Sequence, residues 1–433
     1  MAADESGYCA LVRELSDRIV AAQSPIRILD AVKWDDSVRA AFFASGCTRQ
    51  PEVDRDYYLA RPLPAQLDAT RQTFEDLDRD ISRRLDEHDP AARMMRRMCR
   101  EYDVVLRMLE ARGTPSFHEL SASLYGRADE PFHEAGPSLV ELAGLLDQAL
   151  RNLDQAAFGD ARPAEIEAPV AMQRLQERLD DFFGFDGLAP GRVRVRIDDG
   201  IIADAAAGSD YIKLRADARF RESDLRVLEV HEGWVHVGTT LNGLAQPYCT
   251  FLGKGTPSTT ITQEGLALFV EVISFSSSPR RLRRVTDRIR AIQWAERGAS
   301  FLDVFQRLCE DGRSREEAWP TCVRVFRGST PVLGPFNKDL AYSRGFIEVY
   351  NFVRLAVRRG QIDRVQLLFA GKVTLGDIAD LVRLHERGIV IAPLHLPPQL
   401  AEPSALAAWM AYSNFLNRLD LTRLEDELSR LLD

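Results

Sequence analysis

Two histidines five residues apart in an apolar helical stretch, Val230-His-Glu-Gly-Trp-Val-His236, place the strongest constraint on what this 433-residue chain can fold into. On a regular α-helix, residues four apart lie within about 40° of each other around the axis, whereas residues five apart diverge by about 140°. Two imidazoles that must meet one ion therefore require a widened turn between His231 and His236, a π-bulge that takes up one residue. The stretch also carries Glu232. A second carboxylate, Glu264, falls within Thr262-Gln-Glu-Gly-Leu-Ala267, early in the next apolar helix. A His/His/Glu set with a spare Glu is the donor pattern of a zinc hydrolase.

With Zn2+ on His231, His236 and Glu264, a fourth position would remain for water, whose pKa the ion lowers toward about 7. Glu232 follows a ligand directly, and would accept that water's proton and return it to the leaving amine. Glu271 lies seven residues beyond Glu264 on the same helix face. It is a candidate partner for one of the histidines, or for an arginine elsewhere. The bland alternative is a pair of buried histidines bonded to backbone, with Glu232 in an ordinary salt bridge. Gly265, where backbones can approach closely beside Glu264, weighs against it.

The rest of the chain reads as support. The pattern from Tyr8 to about Gly159 is helical, with Leu11, Leu15, Ile19 and then Phe74, Leu77, Ile81 at helical spacing, and a Met-rich stripe, Met95, Met98, Val105, Leu109, facing inward. His118-Glu119 and His133-Glu134 lack a second histidine at ligand spacing and read as surface or cap residues. A Pro- and Ala-rich loop from Ala161 to Pro169 is the best boundary. Two alternating stretches, Arg192 to Ile197 and Tyr211 to Arg215, read as strands, one of which could edge a cleft and pair with an extended substrate. The helix bearing His231 is expected to start at Ser223 as N-cap, and the helix bearing Glu264 to run from about Gln263 to Phe275 with Thr260 or Thr262 as cap. Helices follow from Leu282, Phe301, Arg315, Asp339 and Leu375, and a last one spans Glu402 to Leu432.

A net charge of −9 gives no global help to a nucleic-acid or anionic-membrane partner. Arg280-Arg-Leu-Arg-Arg284 reads as a solvated helix face. Six scattered cysteines, an N-terminus unlike a signal peptide and the lack of a long apolar run lead to the expectation of a soluble cytoplasmic protein with reduced thiols.

His231-Glu-x-x-x-His236, Thr262-Gln-Glu-Gly-Leu-Ala267, Val325-Phe-Arg-Gly328 and Phe336-Asn-Lys-Asp-x-x-Tyr342-x-x-Gly345 together resemble the QEGLA-motif proteins. Bacterial members have carried the label "flavohaemoglobin expression-modulating". Their animal relatives are the microtubule-associated tyrosine carboxypeptidases, which remove the C-terminal tyrosine of α-tubulin. The resemblance implies a zinc metallocarboxypeptidase with His231, His236 and Glu264 as ligands and Glu232 as base. Asn337 departs from the pattern, in which Thr is expected. Carboxypeptidase action adds a need for a cation to hold the terminal carboxylate, with Arg327 and Lys338 as candidates, and a donor for the oxyanion, with Tyr342 first and Tyr248 behind it.

The expected fold is α-rich α+β: a helical N-terminal region over residues 1–165, a zincin-like metallopeptidase core with a few strands over 166–360, and a helical C-terminal cap over 361–433. The expected function is zinc-dependent removal of the C-terminal residue, aromatic or acidic, of a peptide or protein. A zinc endopeptidase or amidase and a non-catalytic metal-binding regulatory protein are the alternatives, and the oligomeric state stays open.

Overall fold

The apolar spacing of the N-terminal half folds into helices that bury that face. The computed structural model describes residues 2–416 and 418, except 62, 64–65, 133–135, 157–164, 186 and 202. Leu15 and Ile19 of the Ala2–Gln23 helix, Phe74, Leu77 and Ile81 of Leu67–Arg84, and Met95, Met98, Val105 and Leu109 of Pro90–Glu110 all lie inside. Each such side chain stabilises the fold by roughly 1.5–3 kcal/mol when fully buried. Their core is continuous with that of helices Pro257–Ile273 and Leu340–Arg358. The N-terminal helices thus brace the pair that carries the downstream motifs.

A second core is aromatic. Phe42 meets Phe301, Phe305 and Trp319 at tilted and edge-on angles, Phe305 at 5.0 Å and 80°. This core fixes helices Phe301–Glu310 and Arg315–Phe326, and so Arg324 in the last turn of the latter and the Arg327-Gly328 pair that follows.

Among the described residues the chain is helix-rich with five short strands, β1 (Ile166–Glu167), β2 (Arg194–Asp198), β3 (Ala205–Ala207), β4 (Tyr211–Arg215) and β5 (Arg219–Phe220). β1 pairs antiparallel with β5. In the three-stranded sheet β4 is central, parallel to β2 and antiparallel to β3. The two expected strands are therefore the centre and one edge of this sheet. The other edge, β3, is three alanines of low β-propensity that the alternation test passes over.

Two helix starts differ from expectation. The helix bearing His231 begins at Glu222, because Asp224 accepts the backbone N–H of Arg221 at 2.8 Å and makes Arg221, not Ser223, the N-cap. The helix bearing Glu264 begins at Pro257, with Thr256 as N-cap in a reciprocal bond with Thr259 and Pro257 in the first turn. Glu264 accordingly lies about two turns inside, where it is 7 % exposed. The 161–169 boundary loop lies partly, and His133-Glu134 wholly, outside the described residues. So does the expected end of the last helix, whose described part is Pro403–Leu416. No helix among the described residues is long and apolar enough to cross a membrane.

Helices Pro257–Ile273 and Leu340–Arg358 touch through their backbones. A Cβ built on Gly265 would fall 2.0 Å from the carbonyl carbon of Gly345, and one on Gly345 would fall 1.9 Å from the carbonyl oxygen of Ile261. Only glycine permits that approach. The contact locks the Gln-Glu-Gly segment to the segment carrying Tyr342.

Candidate metal centre

The helix that starts at Glu222 widens into a nine-residue π-helix from Glu229 to Val237 and returns to α geometry over Gly238–Leu244. Gly238 N–H reaches back to the carbonyl of Gly233, five residues earlier. The widened turn demanded by the histidine spacing is present. At its end the carbonyl of Val235 accepts from the Thr239 hydroxyl, and that of His236 from the Thr240 hydroxyl and the Lys372 ammonium. Lys372 also donates to Gln263 Oε1 at 3.0 Å, tying the π segment to the Glu264 helix. Burial pushes its ammonium down to about 7.

The widening brings the rings of His231 and His236 to 4.8 Å, nearly perpendicular. With Glu264 they place their ligand atoms within 4.8 Å of one another. Glu264 Oε2 lies 3.2 Å from His231 Nε2 and 3.4 Å from His236 Nε2. A tetrahedral Zn2+ with bonds of about 2.0–2.1 Å has donor–donor edges of about 3.3 Å, which the two separations at Glu264 match.

The surroundings hold this set in place. His231 Nδ1 meets Glu271 Oε1 at 2.6 Å, Glu271 is fully buried, and Arg281 donates to both of its oxygens at 3.0 and 3.3 Å. Of the two partners open to Glu271, histidine or arginine, it has both. Arg281 is thus a correction to the solvated-face reading of residues 280–284: its side chain is 18 % exposed and turned inward. Lys338 Nζ lies 3.3 Å from Glu264 Oε1, the oxygen turned away from the histidines. Burial works against a charged His231, but hydrogen bonds to Glu264 and Glu271 outweigh it and raise its pKa to about 10. Burial likewise opposes charge on Glu271, yet Arg281 and His231 hold it down to about 2. Glu264 is held well below the carboxylate range, against burial, by Lys338 and the two histidines.

Glu232 points to the sheet. Its Oε2 accepts the N–H of Ala207 at 3.0 Å. The bonds from Gly208 N–H to Tyr211 and from Arg215 N–H to Asp204 face β4, so Ala205 and Ala207 present their backbone groups outward by the antiparallel alternation. β3 is therefore a strand edge lying against Glu232.

The downstream motif supplies a third wall. Tyr342 stacks on His231 at 6.1 Å between centroids, and its hydroxyl accepts from Arg324 Nη2 at 3.4 Å. Arg327 is buried beside them, over the ring of Phe336. His118, far from the surface residue expected, is 8 % exposed and contacts the carbonyl of Pro335 and Asn337 Oδ1. Asn337 also donates to Gly126 and Glu296, which fixes the turn that aims Lys338 and Asp339. Tyr248 is not among the residues brought to the cluster by the described contacts. Its neighbours Pro247 and Thr250 are tied to Arg13, Ser16 and Asp17 of the first helix, and its ring packs on the core that the N-terminal helices share with Pro257–Ile273 and Leu340–Arg358.

Arg281, Arg288, Arg324 and Lys372 lie outside the quoted motifs, and Asp339, though inside one, was given no role; none of the five was expected here. One signal existed: Arg281, Val285, Arg288 and Ile292 share a helix face, and that face is buried.

A sequence model of the microtubule-associated tyrosine carboxypeptidase family matches residues 40–418. The microtubule-associated tyrosine carboxypeptidase 1 of Rattus norvegicus is 30 % identical over 207 residues, 47 % of this chain and 41 % of that protein. Its Mus musculus counterpart is 29 % identical over the same shares. The alignment thus spans less than half the length of these curated relatives.

Proposed function

Because this chain belongs to the microtubule-associated tyrosine carboxypeptidase family, we propose that it is a zinc-dependent metallocarboxypeptidase with a zincin-like core. It would remove the C-terminal residue, aromatic or acidic, of a peptide or protein. The observation that carries the reading is the pair of donor separations at Glu264, 3.2 and 3.4 Å, which match the edges of a tetrahedral zinc site. Zinc, when bound by His231, His236 and Glu264, would supply Lewis acidity to the scissile carbonyl and lower the pKa of water.

The remaining chemistry falls to side chains and backbone. Glu271 accepts the Nδ1 proton of His231 and so directs Nε2 into the centre. Glu232, one residue after a ligand, takes the proton of the attacking water and passes it to the leaving amine. Its hydrogen bond from Ala207 keeps the carboxylate oriented in the meantime. Arginine has only donors, so the bond from Arg324 leaves the Tyr342 proton free for the oxyanion that forms on the scissile carbonyl. Apart from the Ala207 N–H held by Glu232, the outward edge of β3 suits an extended peptide, which would add as a further strand beside Glu232.

Glu232→Gln tests the proposal. It should retain about one zinc per chain while hydrolysis of C-terminal residues drops by about 100-fold or more. Purified protein without stoichiometric zinc, or full hydrolysis by the glutamine variant, would sink it. A protein that only binds metal would show neither hydrolysis nor sensitivity to this substitution.

A further inference from the structure

Around Tyr342 the molecule gathers more positive charge than it neutralises. Arg324 pairs with both oxygens of Asp339, at 2.5 and 2.9 Å, and Arg288 approaches the same carboxylate at 3.5 Å. One acid thus serves two guanidinium groups. Arg327, 4 % exposed, forms no ion pair among the described residues. Two buried donors in this group, Arg288 Nη1 and Arg327 Nε, have no hydrogen-bond partner among the described residues. Guanidinium groups keep their proton when buried, so these donors face a charge deficit and not a neutral site. Burial and the neighbouring arginine push Arg327 down to about 10, which still leaves it charged at neutral pH.

This surplus borders the metal centre. The guanidinium of Arg288 lies 4.7 Å from the Tyr342 ring, Lys338 Nζ 5.7 Å and Arg324 5.9 Å, and Tyr342 itself stacks on His231. Lys338 is already paired with Glu264 and Arg324 with Asp339. Of the two arginines here with an open donor, Arg327 lies over the Phe336 ring, and Arg288, with only half a share of a carboxylate, is the one over the Tyr342 ring. Arg288 thus lies against the same Tyr342 ring that stacks on His231, which puts its guanidinium one side chain away from the metal centre.

We propose that Arg288, backed by Arg327, forms the subsite that binds the α-carboxylate of the substrate's terminal residue. The assignment rests on the carboxypeptidase reading, and it moves the carboxylate contact from Arg327 and Lys338, which the motifs suggested, to a residue outside every motif. A planar two-oxygen anion matches the guanidinium fork, and a chain end is what an exopeptidase has to sense. An internal peptide bond or an amidated end would leave the Arg288 donor unmet.

The test uses full-length, zinc-loaded protein and pooled hexapeptides randomised at their last two positions, supplied as free acids and as C-terminal amides. Truncated products are read by mass spectrometry. The unsubstituted protein should prefer the acids by about 100-fold, and Arg288→Met should erase most of that preference with zinc content unchanged. Arg288→Lys should restore part of it. Cleavage of acids and amides alike by the unsubstituted protein, or equal loss on acids and amides in the variants, overturns the assignment. Retention of the same pools on immobilised Glu232→Gln protein separates the two readings. Acid-selective retention that disappears with Arg288→Met supports the subsite even if the unsubstituted protein cleaves nothing, and then the peptidase reading falls alone. Cleavage of both pools alike leaves the peptidase reading and removes the subsite. If Arg288→Met does not fold, the lysine variant and the acid-to-amide comparison with Arg288 intact decide between these outcomes.

Discussion

Substituting Gly265 by alanine should strike fold and metal centre together. The new Cβ would sit 2.0 Å from the Gly345 carbonyl carbon and 2.2 Å from its oxygen, where ordinary contact begins at 3.4 Å. Both partners are backbone, so no side chain can swing aside, and the helices must part by well over an ångström. Overpacking of this kind costs about 1–3 kcal/mol. Gly265 directly follows Glu264, and metal–ligand distances tolerate only about ±0.2 Å. A shift several times larger than that tolerance should weaken zinc binding by about tenfold or more. Denaturant unfolding gives the stability term, and competition against a chelator of known affinity gives the metal term. Gly345→Ala should act on the same contact, so the double variant should lose less than the two single losses combined. The reasoning fails if Gly265→Ala stays within about 0.5 kcal/mol of the parent and binds zinc equally well.

Glu271→Gln removes the charge that orients His231 and leaves Arg281 buried with a neutral partner, so zinc affinity should fall by about 10- to 100-fold in the same competition assay. An unchanged affinity would show that Glu271 serves the fold alone. The metal-free protein should also carry two opposed pH dependences. His231, raised to about 10, contributes stability that is full below its ordinary pKa of about 6.5 and is lost as pH rises through 10. Lys372, depressed to about 7, favours its neutral form, so its penalty eases as pH rises from 7. Between about pH 7 and 8.5 the two offset, and chelator-treated protein should show nearly constant stability by denaturant titration. Lys372→Met should expose the loss from His231, up to about 1.4 kcal/mol per pH unit, and a flat profile in that variant would contradict the charged state of His231.

How much of this was legible depended on whether a residue's partner lay nearby in sequence. The spacing of His231 and His236 forces a geometric conclusion by itself, and Glu264 and Glu271 repeat on one helix face, so the widened turn, the meeting of His231, His236 and Glu264 and a partner for a histidine could be read directly. Arg281 and Arg288 share a helix face with Val285 and Ile292, but nothing local shows what turns them inward, which is Glu271 and Asp339, the latter more than fifty residues further along. His118 likewise meets its partners Pro335 and Asn337 only in the fold. β3 escaped notice because three alanines carry no alternation, and their role lies in backbone groups that every residue has. Thr256 and Pro257 did spell a helix start, but the β-branched Thr259, Thr260, Ile261 and Thr262 masked it.

The π-helix settles a matter of phase beyond its two histidines. Leu225 and Leu241 lie on either side of it and belong to one core, with the Ala168–Phe185 helix and the strands. Val230 and Val235 belong to another. On an uninterrupted α-helix, Leu225 and Leu241 would face about 160° apart, and Val230 and Val235 about 140° apart. One residue taken up in between reduces these angles to about 60° and 40°. The slip that turns two imidazoles toward one point also returns each apolar pair to its own side. A single deletion between His231 and His236 would give the commoner four-residue spacing, and in a regular α-helix it would keep the same phase across the site. The five-residue spacing and the burial pattern are thus two expressions of a single inserted step.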